Sequence, residues 1–459
     1  MNQKIVNTIF YKNFNTLCSS YFFYSLLTIC FFFLFLNSGY SQDFTGLSQF
    51  IENQKEKYHL PHLSVSIVGH DSLLFTHQGK EVCAIETLQE PLVAWSILQL
   101  ANQAKLHLDS PLVAYLPWFS MPNAAGSHAI TIRNLLHQTT GFGTAEGYKK
   151  LTDTSQWVHF LQNATLQNPV GDEFLPSRLN ARLLELVLEK ISGQEMSIFW
   201  QNNIFAKLNM LHTHFGRVAQ NAPKQFLFGY PLINASENDT KLLTTAEDLG
   251  KLLQFFLHDG VVEKGDTILK KVLFRTYFTP KYGHYAMGWR LGGRNGGNYF
   301  HYEHCGKSDA TAWGLLPEQQ LGIIVMTNIN SVTATSEITE NILNFIEKKP
   351  YRSYFPKEFY FRMAIFALLM WSFIELTGRV VLWRKNNFIT RFSFKFKIIF
   401  GFLLGLLINI SILWLLPYYF SIPLSALLTW QPDIGWALII GVSIGIFSTF
   451  ILNFIKNTN

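Results

Sequence analysis

Cysteine is scarce in this sequence. The chain of 459 residues has four, and only Cys83 and Cys305 fall outside its apolar N-terminal region. Two cysteines cannot make a disulfide framework, and their spacing matches no zinc pattern. One bridge in an oxidising compartment is open to them, but spacing does not show proximity, and two free, buried thiols are the expectation. Charge is also sparse, at 15% of residues with a net +6. Much of the positive excess lies beside apolar stretches, which excludes nucleic-acid binding as the reading of the basic balance. No cysteine stands where lipid attachment would need one, since Cys30 lies inside an apolar run.

Long hydrophobic runs are abundant, and they sit at the two ends. Residues 1–41 place Lys4 and Lys12 before YFFYSLLTICFFFLFL and then NSGYSQ, the layout of a secretory signal peptide or a retained N-terminal anchor. The C-terminal region, residues 359–459, holds three apolar stretches at about Met363–Trp383, Ile398–Phe420 and Ile434–Ile455, each long enough to span a bilayer. The linker after the first carries Arg379, Arg384, Lys385, Arg391, Lys395 and Lys397 with no acid; the second linker has only Asp433. The positive-inside rule puts that first linker in the cytoplasm, the middle of the chain outside (periplasmic or extracytoplasmic) and the C-terminus inside. The membrane is thus the expected partner, through three spans. Glu375 within the first span is equally a functional acid or a satisfied helix contact.

Between these ends, residues 43–350 have the length for one sizeable core. Leu47, Phe50 and Ile51 suggest an opening helix. LSVSIVGHDSLLFTHQG reads as a β-hairpin turning at Gly69-His-Asp-Ser. After Pro91, Leu92, Trp95, Leu98, Ala101 and Ala104 recur at helical spacing, so a buried central helix is expected. Thr87-Leu-Gln-Glu90 just before it is a Thr-x-x-Glu capping pattern. Further helices are expected at Ile130–Phe142, started by Thr131 and stopped by Gly141; at Ala181–Ile191, closed by Gly193; and at Leu243–Leu249, capped by Thr244 or Thr245. Tyr285–Leu291, Tyr299–His304 and Leu321–Asn328 read as strands. His137 reads as a packed residue, with no acid or nucleophile placed beside it.

The segment LVAWSILQLANQAKLHLDSPLVAYLPWF from Leu92 resembles the serine β-lactamase and DD-peptidase family, in its class C and esterase-like branch. Ile130–Phe142 is similar to that family's ITIRHLLTHTSGL. The resemblance implies an α/β (α+β) fold: a mainly antiparallel sheet covered by helices on both faces, with an all-helical part beside the pocket. It also implies a catalytic Ser-x-x-Lys, a Tyr-Ser-Asn and a His/Lys-Thr-Gly. Here Thr87 and Glu90 occupy the places of serine and lysine. Phe174-Leu-Pro-Ser-Arg178 puts Pro176 and Arg178 where the tyrosine and asparagine belong and keeps Ser177. His304-Cys305-Gly306 stands for the strand motif. The joint Lys80–Glu86 is shorter than the family's, so one pocket wall is expected to be missing.

The chain contains no Ser-x-x-Lys, and its single Tyr-x-Asn, Tyr11-Lys-Asn13, lies in the N-terminal region. Activating a hydroxyl needs a base beside it, and proline has no titrating group. The expectation is a membrane-tethered domain without catalysis that binds or senses a peptidoglycan-like or other peptide or small-molecule ligand. Ser177, Arg178, His304 and Cys305 are its candidate contacts, with no cofactor and no metal. The alternative is an active hydrolase of β-lactam, peptide or ester substrates, through Thr87 with Glu90 as a rebuilt base, or through Cys305 beside His304.

Overall fold

The computed structural model describes residues 44–85, 89–122, 124–143, 151, 153–217, 240–261, 268–306, 309–329, 331, 333–351, 357–385, 403–407, 409–413, 424, 428 and 432–454. Residues 1–41 and Thr87 lie outside them.

Helix α1 (Leu47–Lys57) leads into the hairpin β1 (Leu63–Gly69) and β2 (Leu73–His77), and the short β3 (Cys83–Ile85) precedes the central helix α2 (Gln89–Asn102). A helical section follows: α3 (Ala124–Ala129), α4 (Ile132–Leu136), α5 (Thr154–Gln162), α6 (Arg178–Ser192) and α7 (Met196–Trp200). The chain continues through β4 (His214–Arg217), β5 (Thr240–Thr244), α8 (Ala246–Leu257), α9 (Lys271–Tyr277), β6 (Tyr285–Ala286), β7 (Trp289–Arg294), β8 (Gly297–Cys305), β9 (Ala310–Leu316), β10 (Leu321–Thr327) and α10 (Ala334–Ile346).

The main sheet runs β2-β1-β10-β9-β8-β7-β6, and every neighbouring pair is antiparallel. The first and last strands of the domain pair with each other, with Leu63 opposite Thr327 and Gly69 opposite Leu321. Strands β1, β9 and β10 are buried at all seven positions each. They show no alternation because both sheet faces are covered. One face packs on α1 and α10 through Leu47, Ile51, Val65, Ile323 and Ile342. The other packs on α2, α6 and α8 through Trp95, Leu98, Leu184, Leu249 and Trp313. A second sheet, β3-β5-β4, lies beside them.

Local signals explain most boundaries. Thr131 caps α4 in a capping box with Asn134, and Gly193 closes α6 at φ 69°. The expected strand Tyr285–Leu291 is instead two strands, β6 and β7, folded at Met287 (φ 41°) and Gly288 (φ 102°). Two positive φ values are what a tight antiparallel hairpin needs. A side chain on Gly288 would also meet the nitrogen of Pro91 at 2.7 Å, so glycine lets this turn rest on the first turn of α2.

Beyond the domain, α11 (Lys357–Lys385) packs along α12 (Pro432–Phe454), burying Ile365, Ile434, Leu438 and Val442. Among the described residues, no helix is long and apolar enough to cross a membrane, so the three expected spans are not found there. The expected middle span is described only at 403–407 and 409–413.

Candidate active site

Helix α2 is held rigidly where the site lies. Trp95 packs edge-on against Phe255, Phe256 and Tyr277, with ring centroids 5.2, 5.4 and 5.3 Å away. The Tyr277 hydroxyl donates to the Pro91 carbonyl at 2.9 Å, and the Trp200 indole N–H donates to Ser96 Oγ at 3.0 Å. These contacts fix the first turn of α2 and with it Glu90. Its carboxylate Oε2 accepts from the Tyr285 hydroxyl at 3.3 Å.

A loop from the helical section forms the opposite wall. Gln138, at φ 57°, turns its Oε1 to accept from the Ser177 N–H at 3.0 Å and from Asn180 Nδ2 at 2.6 Å. Thr140 donates to Asn180 Oδ1 at 2.8 Å, and Ser177 Oγ donates to the Gly143 carbonyl at 2.9 Å. Gly141, at φ 80°, is needed because a Cβ there would lie 2.1 Å from the Asn168 carbonyl oxygen. The Tyr285 ring packs 4.9 Å from that of Phe174.

Burial pushes the Glu90 carboxyl up from its ordinary range. The Tyr285 bond and the charges of Arg178 and Arg290 oppose that shift only in part. Burial and the neighbouring Glu90 hold the Tyr285 phenol well above its usual range. The pair is therefore biased toward a neutral phenol beside a carboxyl that protonates readily. That is the reverse of the unprotonated amine and proton relay needed to activate a hydroxyl. The space among Glu90, Gln138, Tyr285, Met287, Val93 and Leu184 is about 10 Å³, room for about one water. A larger cleft of about 510 Å³ lies elsewhere, against Phe142, His159, Phe160 and Leu179.

Of the residues expected from sequence, the structure brings Glu90 and Arg178 together electrostatically. Pro176 is exposed beside them, while Ser177 is buried and starts α6. Ser177 faces inward to Gln138 and Gly143, so its hydroxyl serves the wall of the recess. His304 lies opposite Thr311 on β8. Strand alternation puts it on the same face as Phe300 and Tyr302, the face that packs toward α2. Cys305 alternates to the other face with Tyr299, whose ring stacks on His301. The adjacent pair His304 and Cys305 thus does not converge. Gly306 donates its N–H to the Asp309 carbonyl at 2.7 Å.

Glu90 directs a carboxylate oxygen to Tyr285, a use beyond the helix capping expected of it. His137 is 3% exposed, and burial, reinforced by Lys281 and Arg133, lowers its pKa to about 4. A neutral, packed imidazole is what its sequence context suggests. Cys83 and Cys305 form no disulfide with each other; Cys83 is buried as expected, whereas Cys305 is half-buried. Gln138, Asn180, Tyr285 and Arg290 escaped the sequence reading, because each reaches the site through contacts over tens to hundreds of residues.

This arrangement of a sheet whose first and last strands pair, a buried helix below it and a helical section beside it has known counterparts. The family model for Beta-lactamase matches residues 47–343. The chain belongs to that family. It is 26% identical over 456 residues to "Protein flp" of Staphylococcus aureus (strain N315), spanning 88% of this chain and 89% of that one. Among solved structures it is similar to a class C beta-lactamase, with TM-score 0.55 and 14% identity over 67% of this chain and 97% of that one. It is also similar to an octameric penicillin-binding protein homologue from Pyrococcus abyssi, with TM-score 0.54 and 17% identity over 70% of this chain and 81% of that one.

Proposed function

We propose that this chain is a membrane-tethered member of the Beta-lactamase family that does not catalyse hydrolysis and instead binds or senses a peptidoglycan-like or other peptide ligand outside the cytoplasm. The observation that carries the reading is Glu90. A carboxyl whose pKa is raised by burial, bonded to Tyr285 and facing Arg178, fills the place where the family's chemistry needs a basic amine. The recess lined by Glu90 and Tyr285 is small, with room for about one water. Arg178, exposed at the start of α6, is a cation suited to a ligand carboxylate.

Support for the tether comes from α11 and α12. Neither is long and apolar enough to cross a membrane, but they pack on each other while exposing Met370, Trp371, Ile374, Trp436, Ile440 and Phe447, an apolar surface suited to contact with lipid. On this reading the basic linker that follows α11 in sequence lies in the cytoplasm and the domain outside.

The test is intact-protein mass spectrometry after treatment with penicillin-type and fluorophosphonate probes. No covalent adduct is expected. Thr87→Ser alone should not restore one, because the hydroxyl would still lack a base. A stoichiometric adduct on the unmodified chain would overturn the reading, and one mapped to Thr87 would favour a hydrolase that uses Glu90 as a rebuilt base.

A further inference from the structure

At the C-terminal end of α8, the turn of the first hairpin meets the helix. His70 and Asp71 form the tip of the β1–β2 turn, and His258 follows the last residue of α8. His70 Nδ1 lies 2.7 Å from Asp71 Oδ1, and His258 Nε2 lies 3.9 Å from the same oxygen. The two imidazole rings are tilted at 43° with centroids 3.9 Å apart. One donor atom from each of the three residues falls within 4.8 Å of the other two.

We propose that His70, Asp71 and His258 bind a first-row divalent cation of the zinc type, which clamps the β1–β2 turn to the C-terminal end of α8. Two imidazoles and one carboxylate are a donor set suited to zinc, with water completing the tetrahedron. At metal–ligand lengths of about 2.0–2.2 Å, ligand atoms in a tetrahedron stand roughly 3.3–3.6 Å apart. The observed separations bracket that range, so small side-chain rotations bring the three donors onto one ion. The backbone beneath them is already ordered. The Gly69 N–H donates to the Ser72 carbonyl at 2.8 Å, closing the turn. Gln254 Nε2, one helical turn before His258, donates to the Gly69 carbonyl at 3.4 Å. Turn and helix are thus held together by protein contacts before any ion arrives, which lowers the cost of assembling the site. Both histidines are only partly exposed, whereas Asp71 is open to solvent and leaves an entry path. The proposal is independent of the function proposed for the Glu90 recess.

The experiment uses the full chain without an affinity tag, titrated with zinc against a chromophoric chelator and melted with and without zinc. One equivalent should bind and raise the Tm, while magnesium should do neither. His70→Ala and His258→Ala should each weaken zinc binding at least tenfold and abolish the zinc-dependent rise in Tm. His258→Gln, which keeps a polar side chain at the helix end, guards against a folding defect and should behave as His258→Ala does. Cys83, whose Sγ lies 3.1 Å from His62 Nε2, is the rival thiol–imidazole pair, and Cys83→Ser should leave zinc binding unchanged. Absence of binding at micromolar zinc, retention in the His70→Ala/His258→Ala double variant, or loss in Cys83→Ser would each overturn the proposal.

Discussion

Two helices in this domain begin with one pattern, a threonine followed three residues later by an acid: Thr87-Leu-Gln-Glu90 before α2 and Thr245-Ala-Glu-Asp248 at α8. At α8 the acid is buried and fully used. Asp248 accepts from the His212 N–H at 2.8 Å, from Thr213 Oγ1 at 3.0 Å and from Lys251 Nζ at 2.8 Å, while its own N–H donates to Thr245 Oγ1 at 3.1 Å. At α2 the acid meets a phenol at 3.3 Å, and burial raises its pKa. One carboxylate is a structural anchor whose charge is answered on every side. The other is a group answered only in part, by the Tyr285 hydroxyl. The difference shows that a capping pattern names a helix start and leaves open what the acid does once the rest of the chain has closed over it.

Substitutions sharpen the contrast, beginning with the largest effect. Asp248→Ala removes the acceptor of the His212 N–H and one partner each from Thr213 and Lys251, which keep Thr244 and the Asn209 carbonyl, and should cost about 2–4 kcal/mol by denaturant unfolding. A cost under about 1 kcal/mol would show that the anchor is not one. Gly288→Ala should cost about 1–3 kcal/mol in backbone strain alone, since φ is 102° there, with the Pro91 contact added. Because that hairpin also carries Tyr285, it should loosen the Glu90 recess as well, visible as faster amide exchange at the start of α2.

Tyr285→Phe removes one hydrogen bond and should cost about 0.5–1.5 kcal/mol. Thr245→Ala removes the α8 cap at about 1 kcal/mol. The two thus test site and scaffold at equal scale.

The subtlest contrast is in pH. The folded-state pKa of Glu90 is raised, so the folded protein holds that proton more tightly than the unfolded chain does. Its stabilising contribution is present at low pH and is lost as pH rises through the raised pKa. Glu90→Gln should therefore gain in Tm relative to the parent as pH increases from about 4 toward 8. A difference independent of pH would contradict the assigned shift. His137 runs the other way on the acid side. Its folded pKa of about 4 lies below the ordinary 6.5, so stability should fall as pH drops through that window, and His137→Gln should remove the slope.

Much of this protein follows from local chemistry and can be read along the chain. The 3.6-residue recurrence of Leu92, Trp95 and Leu98 specifies α2, and Thr131, Gly193 and Thr245 mark helix ends because each satisfies a backbone requirement within a few residues. The Gly69-His-Asp-Ser turn is legible for the same reason, and so is the loss of Ser-x-x-Lys, which is a statement about identities alone. Three things were decided only by the tertiary structure. Met287 and Gly288 split one apparent strand because the turn had to settle on Pro91 of α2. Gln138, Asn180 and Tyr285 became the walls of a recess around Glu90 through contacts between residues up to 195 positions apart. His70, Asp71 and His258 came within reach of one ion only once α8 lay across β1. Spacing along a chain constrains neighbours within a turn or two, whereas the convergence of distant side chains depends on how whole elements pack, and no short-range pattern encodes it.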